Sequence, residues 1–226
     1  MISPAPLVEC QDREVSFSAE LATLLPPDLP NRDVVIEKSA RHLEMIVEIN
    51  KVMNLTRIVG EREAAIKHVL DCVLPWRLFA NAGHVVDAGT GPGFPGIPLA
   101  LVLPQVRFSL LEATQKKARF VESVVADLQL ENVQVVPQRA EEWIHRNAAD
   151  IVTGRAVAPL TKGCLYFAPA LKYGARVLLY KGPDAEAEIT EALPETRKRQ
   201  LKCKVIYRYD LPDGAGSRTI VEMLRA

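Results

Sequence analysis

The sequence predicts an α/β fold, a mostly parallel seven-stranded sheet with helices on both faces and a helical extension at its N-terminus. From residue 84 onward, short apolar segments alternate with amphipathic ones, which is typical of strand–helix–strand units. Residues 33–53 and 61–79 show only helical periodicity. The last two apolar segments flank the turn PDGAGS, which favours a terminal antiparallel pair.

Each element follows from its apolar spacing and its breakers. The first helix spans 33–53, with Asn31 or Asp33 as its cap, and in the second, over 61–79, Pro75 kinks or ends a first segment. The proline-rich residues 1–30 are expected to be loosely ordered, with a short helix over 17–25 as the alternative. Strands are predicted at 84–89, 106–112, 133–137, 150–157, 175–182, 204–211 and 218–224, and helices between them at 96–104, 116–130, 140–146, 159–171 and 184–199.

The length and composition of the chain exclude several classes of protein. A chain of 226 residues suits one compact unit, which we divide into an extension over 1–80, helical from about 33, and a main domain over 81–226. Lys+Arg and Asp+Glu both number 28, which excludes a globally basic nucleic-acid coat but leaves room for a local basic face. No apolar run suits a membrane span, the N-terminus resembles no signal peptide, and the four cysteines form no CxxC pair. We therefore expect a cytoplasmic protein without a metal site.

The segment VVDAGTGPGFPGIPLALVLP at 85–104 carries the clearest functional signal. Gly89, Gly91 and Gly93 alternate after an apolar strand, where glycine permits a tight turn and close approach of a ligand to the backbone. Glu112 follows about 20 residues later, as the acidic residue of the dinucleotide fingerprint does. Besides a nucleotide site, an ordinary strand–helix turn in an α/β protein also explains the glycines alone.

A dinucleotide fits these residues poorly. Pro92 and Pro95 remove amide donors that would face a pyrophosphate, and Asp87 places negative charge beside it. The chain after the loop is used up by the sheet, which leaves no second domain for a dehydrogenase. A cationic ligand with a ribose suits the residues better, and S-adenosylmethionine is such a ligand. Asp87 would order the loop or balance the sulfonium, and Glu112 would accept hydrogen bonds from the ribose hydroxyls.

The segment DAGTGPGFPGIPLA at 87–100 resembles the bacterial small-subunit rRNA guanine-N7 methyltransferase family, also called glucose-inhibited division protein B. The resemblance covers roughly residues 35–182, and the C-terminal strand pair by position only. Further blocks occur in the family's order: NLT (54–56), KHVLD (67–71), LLEATQKKARFV (110–121), VPQRAEEW (136–143), DIVTGRAVAPL (150–160) and YKG (180–182). One departure is Gly154, which stands where the family usually has serine.

The resemblance implies a Rossmann-like class I S-adenosylmethionine-dependent methyltransferase and a role for several residues. Arg155 would lie between cofactor and target base, and Lys181 is a second candidate donor for guanine O6 or a phosphate. A surface ion pair for Arg155 and a solvated strand-end lysine for Lys181 are the alternatives. The expected cofactor-binding set is Asp87, Gly89, Gly91, Gly93, Phe94, Glu112, Ala113, Thr114, Ala140, Glu141 and Arg155.

The implied partner is 16S rRNA or a precursor of the small ribosomal subunit, bound by a monomer. Basic residues that could contact RNA phosphates are Arg197, Lys198, Arg199, Lys116 and Lys117, although each run could equally be a solvated helix face. His68 and Asp71, three positions apart on one helix, are expected to form an ordinary surface pair, with contact to RNA as the alternative. A same-fold methyltransferase for another substrate and a non-catalytic RNA-binding assembly module are the competing functions, and cofactor binding separates the second of these from an enzyme.

Overall fold

A computed structural model describes residues 16–226 and contains one seven-stranded sheet. Its strands are β1 (His84–Ala88), β2 (Arg107–Leu111), β3 (Val133–Val136), β4 (Ile151–Arg155), β5 (Arg176–Lys181), β6 (Leu201–Leu211) and β7 (Gly216–Arg225). Their order is β3-β2-β1-β4-β5-β7-β6, and β7 runs antiparallel to both of its neighbours while the other pairs are parallel. The predicted fold class is therefore confirmed.

The helices match the predicted positions except in the N-terminal part. They are α1 (Phe17–Leu24), α2 (Arg32–Asn50), α3 (Glu61–Ala64), α4 (Asp71–Val73), α5 (Gly96–Val102), α6 (Gln115–Asp127), α7 (Ala140–Ile144), α8 (Leu160–Lys172) and α9 (Ala185–Arg199). A π-helical segment, Ala65–Leu70, joins α3 to α4, and a 3-10 turn, Trp76–Leu78, follows Pro75. The helix predicted over 61–79 is thus broken into pieces, because Pro75 ends it and the π-helical segment underwinds it.

Residues 16–32 are partly helical. Ser16 caps α1 by accepting a hydrogen bond from the Ala19 amide, so the short helix considered for 17–25 is present. The expectation of a loosely ordered segment over 1–30 is wrong for α1, and its part over 1–15 lies outside the described residues. Asn31 occupies the N-cap position of α2 with φ 53° but forms no side-chain cap. The side-chain amide of Asn31 donates instead to the Val102 carbonyl and so connects the extension to α5.

Two apolar layers cover the sheet. On one face the extension, α5 and α6 pack with residues such as Val85, Phe108 and Leu110. On the other face α7, α8 and α9 pack against Val86, Val152 and others of the alternate register. In the chain from residue 16 onward, no helix is both long and apolar enough to cross a bilayer.

The strand order locates the edge of the sheet at which a ligand is expected. The chain passes from β1 to β2 and β3 on one side, whereas β4 is added on the other side of β1, so the order of strand addition reverses between β1 and β4. A crevice forms outside the carboxyl ends of strands at such a switch point, and ligands of open α/β sheets bind there. The glycine loop after β1 and Arg155 at the end of β4 both lie at this point.

Candidate functional site

The glycine loop after β1 holds a positive backbone angle at each alternating glycine. The φ angles are 73° at Gly89, 60° at Gly91 and 109° at Gly93, a region that L side chains rarely adopt. A Cβ on Gly93 would lie 2.5 Å from Ile97 Cδ1, whereas one on Gly89 would meet only Val157 Cγ2, at 3.9 Å. Gly89 is exposed at the crevice, so its backbone is open to a ligand.

Asp87 fixes the loop from beneath. Its Oδ2 accepts hydrogen bonds from Thr90 Oγ1 at 2.6 Å and from the Gly96 amide at 2.9 Å. The residue is fully buried, and burial raises the pKa of this carboxyl to about 6. Its other oxygen, Oδ1, has no partner within residues 16–226. The sequence-based role of ordering the loop therefore has a direct structural basis.

Glu112, directly after β2, joins the loop to the next strand. Its Oε2 accepts from the Gly91 amide at 3.1 Å and its Oε1 from the Thr114 amide at 2.7 Å. Only 8% of the residue is exposed. Each carboxylate oxygen can accept a second hydrogen bond, so the contacts leave capacity for a pair of ribose hydroxyls.

Three aromatic rings stack behind the loop. Phe94 lies between His42 of α2 and His68 of the π-helical segment, with ring centroids 4.8 Å and 4.7 Å apart. Phe94 is buried, so it anchors the loop rather than presenting its ring to solvent. The extension thereby holds the loop from the side away from the sheet.

Both histidines of this stack are neutral near pH 7. Burial lowers the pKa of His42 to about 4, while its Nε2 donates to the Pro92 carbonyl at 2.8 Å. Burial, together with the nearby Arg155 guanidinium, lowers the pKa of His68 to about 3. His68 Nε2 lies 3.2 Å from Thr56 Oγ1, a residue of the NLT segment. Each ring thus combines stacking with one hydrogen bond to a loop.

Arg155 links the glycine loop to the extension. Its Nη1 donates to the Lys67 carbonyl at 2.5 Å and to Asp71 Oδ2 at 3.2 Å, and its Cζ lies 5.5 Å from the centre of the Phe94 ring. Arg155 therefore lies between the loop and a neighbouring cavity, and its place between cofactor and target base stays a prediction. The surface ion pair that was the alternative for Arg155 does not describe it, because Asp71 is buried.

A cavity of about 800 Å³ opens beside Arg155 at the same edge of the sheet. It lies between the extension, the β4–α8 connection, the end of β5 and the start of β7. The titratable side chains in its lining are Lys67, His68, Asp71, Arg155, Tyr180, Lys181, Glu188, Glu191 and Arg218. Ala156, which follows Arg155 at φ 56°, and Val157, which faces Gly89, separate the cavity from the glycine loop.

Lys181 lies at the wall of the cavity with its ammonium group engaged. Nζ donates to the Ala158 carbonyl at 2.8 Å and to Glu188 Oε2 at 2.7 Å. Glu188 Oε2 also accepts from the Leu160 amide at 3.2 Å. The side chain of Lys181 is 11% exposed, so it is not the solvated lysine considered as an alternative. It holds the β4–α8 connection against α9 and has one proton left for a ligand.

The prediction for His68 and Asp71 was wrong. Only 5% of His68 and 2% of Asp71 are exposed, so they do not form a surface pair. Asp71 accepts from Tyr209 Oη at 2.8 Å and lies 3.5 Å from Arg218 Nε, in addition to its contact with Arg155. The broken helix explains the error, because the π-helical segment turns this face inward.

The remaining sequence-predicted residues occupy two different edges. Ala113 and Thr114 follow β2, and Ala140 and Glu141 begin α7 after β3, so they lie beyond Glu112 along the carboxyl edge. Lys116 and Lys117 form the first turn of α6 at this same edge. By contrast, Arg197, Lys198 and Arg199 end α9 next to the start of β6, which pairs with the end of β7 at the amino edge.

Three functional-site residues were not found by sequence reasoning. His42 is a buried histidine next to buried Leu43 of α2, and a histidine on an otherwise mostly apolar helix face was the available signal. Tyr209 and Arg218 are cross-strand neighbours in β6 and β7, and only the pairing register brings them to Asp71.

The comparisons with known proteins agree on one family. The family model described as rRNA small subunit methyltransferase G matches residues 35–211. A protein of that name from Solibacter usitatus is 64% identical over 92% of this chain and all of its own length. Another from Carboxydothermus hydrogenoformans is 35% identical over 82% of this chain and 81% of its own length.

Solved structures support the fold. An O-methyltransferase from Bacillus cereus in complex with SAH aligns with a TM-score of 0.56 at 18% identity and covers 82% of this chain and 91% of its own. Magnesium protoporphyrin IX methyltransferase from Synechocystis, with bound SAM, aligns with a TM-score of 0.57 at 14% identity and covers 82% and 97%. At such identities the likeness extends to the fold alone.

Proposed function

Because the chain belongs to the rRNA small subunit methyltransferase G family, we propose that it transfers a methyl group from S-adenosylmethionine to N7 of a guanine in small-subunit rRNA. The observation that carries this proposal is the junction at Arg155, which contacts the anchored glycine loop on one side and lines the large cavity on the other. A cofactor on the loop and a base in the cavity would meet there.

The carboxyl edge of β1, β2 and β3 fits S-adenosylmethionine. The exposed backbone at Gly89 accepts close approach, Glu112 retains acceptor capacity, and the buried Asp87 Oδ1 lacks a partner in the described chain. Ala113, Thr114, Ala140 and Glu141 extend the edge toward the adenine, as the family resemblance implies. When bound, the cofactor supplies a methyl group on a positively charged sulfur.

The cavity suits the acceptor base. Its volume of about 800 Å³ accommodates a nucleotide, and Arg155 and Lys181 place donors along it where guanine O6 or a phosphate can be bound. Guanine in folded RNA must leave its stack to enter, as in other enzymes that modify bases. Lys116 and Lys117 lie at this edge and would contact the RNA backbone, whereas Arg197, Lys198 and Arg199 would contact it at the opposite edge.

Methylation of guanine N7 requires that the reacting atoms be aligned, and it requires no proton transfer. Guanine N7 offers a lone pair and has no proton to lose, so the residues need only bring it into line with the methyl group. The imidazole of His68 agrees with this, because its lowered pKa of about 3 and its buried stack leave it unsuited to serve as a base near neutral pH. Arg155 and Lys181 orient the base as cationic donors.

The decisive experiment incubates the protein and labelled S-adenosylmethionine with small-subunit rRNA or subunits from cells lacking the enzyme and maps N7-methylguanine. We expect one methylated guanine and a single-turnover rate that is nearly flat from about pH 6.5 to 8.5. A tenfold rise per pH unit would show a required deprotonation and exclude N7 as the acceptor.

A variant of the cofactor loop tests the placement of the cofactor. Gly89→Arg should abolish S-adenosylmethionine binding, since its side chain would fill the open space beside the loop, while the Gly60→Arg control, at a glycine with no neighbour within 4 Å and no positive φ, should bind normally. Unchanged cofactor affinity in Gly89→Arg would refute the site.

A further inference from the structure

Two guanidinium groups in the cavity share one buried carboxylate. Arg155 Nη1 lies 3.2 Å from Asp71 Oδ2, and Arg218 Nε lies 3.5 Å from the same oxygen. The two arginine side chains are 21% and 24% exposed, and that of Asp71 is 3% exposed. The arginines come from the ends of different strands, so a single carboxylate of the extension fixes the spacing between them.

This cluster carries one more positive than negative charge. Tyr209 Oη donates to the remaining Asp71 oxygen at 2.8 Å and adds no charge, because burial and the nearby carboxylate raise its pKa well above the ordinary value. Among the other charged residues of the cavity, Lys67 pairs with Glu63 and Lys181 with Glu188. Glu191 also lines the cavity but is exposed, so solvent screens its charge and the excess positive charge is local to the two arginines and Asp71. An uncompensated charge in half-buried surroundings attracts an anion more strongly than it would in water.

The unsatisfied donors of the pair point to the class of anion. Within residues 16–226, Arg218 contacts partners through Nε and through Nη1, which donates to the Ser217 carbonyl at 3.1 Å, and its Nη2 has none. Arg155 forms its hydrogen bonds through Nη1 alone in the same range. Planar guanidinium forks with free N–H groups suit phosphate oxygens, which they bind in pairs.

We propose that Arg218, together with Arg155, binds a backbone phosphate of the RNA beside the target guanine, and that Asp71 is the positioning residue that holds both arginines. The inference rests on the proposed methyl transfer to RNA and deepens it. A phosphodiester carries one negative charge and so balances the excess charge of the cluster. The positive charge that methylation creates on the guanine then forms beside a neutralised pair of arginines.

The carboxylate of the cofactor is the competing anion. Arg155 lies close enough to the glycine loop to reach it, since its Cζ is 5.5 Å from the Phe94 ring. Within residues 16–226, the Arg218 guanidinium contacts Asp71 and the Ser217 carbonyl and has no hydrogen bond, ion pair or ring contact with the glycine loop. Arg218 is therefore the residue that discriminates between an RNA phosphate and the cofactor.

The test measures methylation and binding of small-subunit rRNA by Arg218→Ala and Arg218→Lys. For Arg218→Ala we expect a KM for rRNA about tenfold higher, a slope of log affinity against log salt smaller by about 0.7–0.9, and S-adenosylmethionine affinity within about twofold of the parent. Arg218→Lys should recover the salt slope and only part of the KM, because a point charge replaces a fork.

The matched control is Arg77→Ala, which removes an exposed guanidinium paired with Asp28 and should change none of these values. Weaker cofactor binding with unchanged RNA binding in Arg218→Ala would assign Arg218 to the cofactor and overturn the proposal. Unchanged values throughout, in a folded variant, would leave Arg218 a structural residue and overturn it too. A parent protein that binds cofactor but leaves rRNA unmethylated would instead contradict the proposed function.

A double-mutant cycle tests the positioning role of Asp71. Asp71→Asn keeps the shape of the side chain and the Tyr209 contact but removes the charge that holds the two arginines. In that background, Arg218→Ala should raise the KM for rRNA by less than about threefold, since Arg218 is already misplaced. A full tenfold effect in both backgrounds would show that the two residues act independently.

Discussion

The contacts that form the glycine loop and those that form the neighbouring cavity join residues at different separations along the sequence. In the loop, most side-chain hydrogen bonds join residues 3, 9 and 21 positions apart, as from Thr90 and Gly96 to Asp87 and from Gly91 to Glu112. One longer hydrogen bond, from His42 to the Pro92 carbonyl, spans 50 positions. In the cavity, Asp71 contacts residues 84 and 138 positions away, Arg155 and Tyr209. The loop belongs to one strand–helix–strand unit, whereas the cavity exists only after the extension and the terminal strand pair have docked on the sheet.

This difference implies different sensitivities. A defect in the loop acts first on the cofactor, because the surrounding unit still folds around its own contacts. A defect in the contacts of Asp71 acts on the whole molecule, because that side chain joins the extension to β4 and to the β6–β7 pair. Substitutions in the two regions should therefore differ in size and in kind.

The largest effect is expected for Asp71→Leu. It leaves two partly buried guanidinium groups without their carboxylate and the Tyr209 hydroxyl without its acceptor. Breaking a buried charge pair by removing one partner costs about 3–5 kcal/mol of unfolding free energy. Urea unfolding measures it, with Asp127→Ala as control, since the pair of Asp127 with Arg41 is solvent-exposed and contributes little to stability. Similar destabilisation of the two variants would contradict the special role of Asp71.

The second prediction concerns the free energy of unfolding at acidic pH. In the unfolded chain histidine has a pKa near 6.5, whereas His42 and His68 hold lowered values of about 4 and 3. Between pH 6.5 and 5 the unfolded state therefore takes up protons that the folded state does not, and stability falls as the pH falls. Each histidine lowers the unfolding free energy by roughly 1.5–2 kcal/mol over this range.

Asp87 opposes the histidines in the same range. Its pKa is raised to about 6, so the folded protein takes up this proton before the unfolded chain does, and acidification stabilises the fold by about 1 kcal/mol. Together the three groups predict a net decrease of about 2 kcal/mol between pH 6.5 and 5. His68→Gln should reduce this decrease to about half a kcal/mol, and an unchanged pH dependence of urea unfolding in that variant would contradict the stack as its source.

A third, smaller effect tests the packing of the loop. A Cβ on Gly96 would lie 2.2 Å from Leu110 Cδ2 and 2.9 Å from Asp87 Oδ2, so Gly96→Ala should cost about 1–3 kcal/mol of unfolding free energy. Gly60→Ala, where nothing lies within 4 Å, is the matched control and should change stability by less than about 1 kcal/mol. Equal stabilities of the two variants, measured by urea unfolding, would show that the loop yields without strain.

The same contrast in range explains what the sequence could predict. The strands, the turn after β1 and the positions of Asp87, Glu112 and Arg155 follow from local patterns, and the structure has them at the carboxyl edge. The surroundings of Asp71 do not, because they depend on a π-helical segment and on the register that sets Tyr209 opposite Arg218. A periodicity of 3.6 residues assigns Asp71 to the wrong face once the helix is underwound.

The smallest effect separates the two basic clusters proposed to bind RNA. Lys116 and Lys117 lie at the carboxyl edge with the cofactor loop, whereas Arg197, Lys198 and Arg199 lie at the amino edge. Arg199 Nη2 forms an ion pair with Glu195 at 3.2 Å.

Positive charge near a reacting base both binds the RNA and orients the base, while charge at the far edge can only bind the RNA. Alanine at 116 and 117 should therefore lower RNA affinity and single-turnover rate together, and flatten the salt slope by about 0.7–0.9 for each phosphate that is no longer bound. Alanine at 197–199 should flatten the slope at an unchanged rate on saturating RNA. An unchanged slope in the second variant would make the end of α9 a solvated helix face and confine RNA binding to the edge that carries the site.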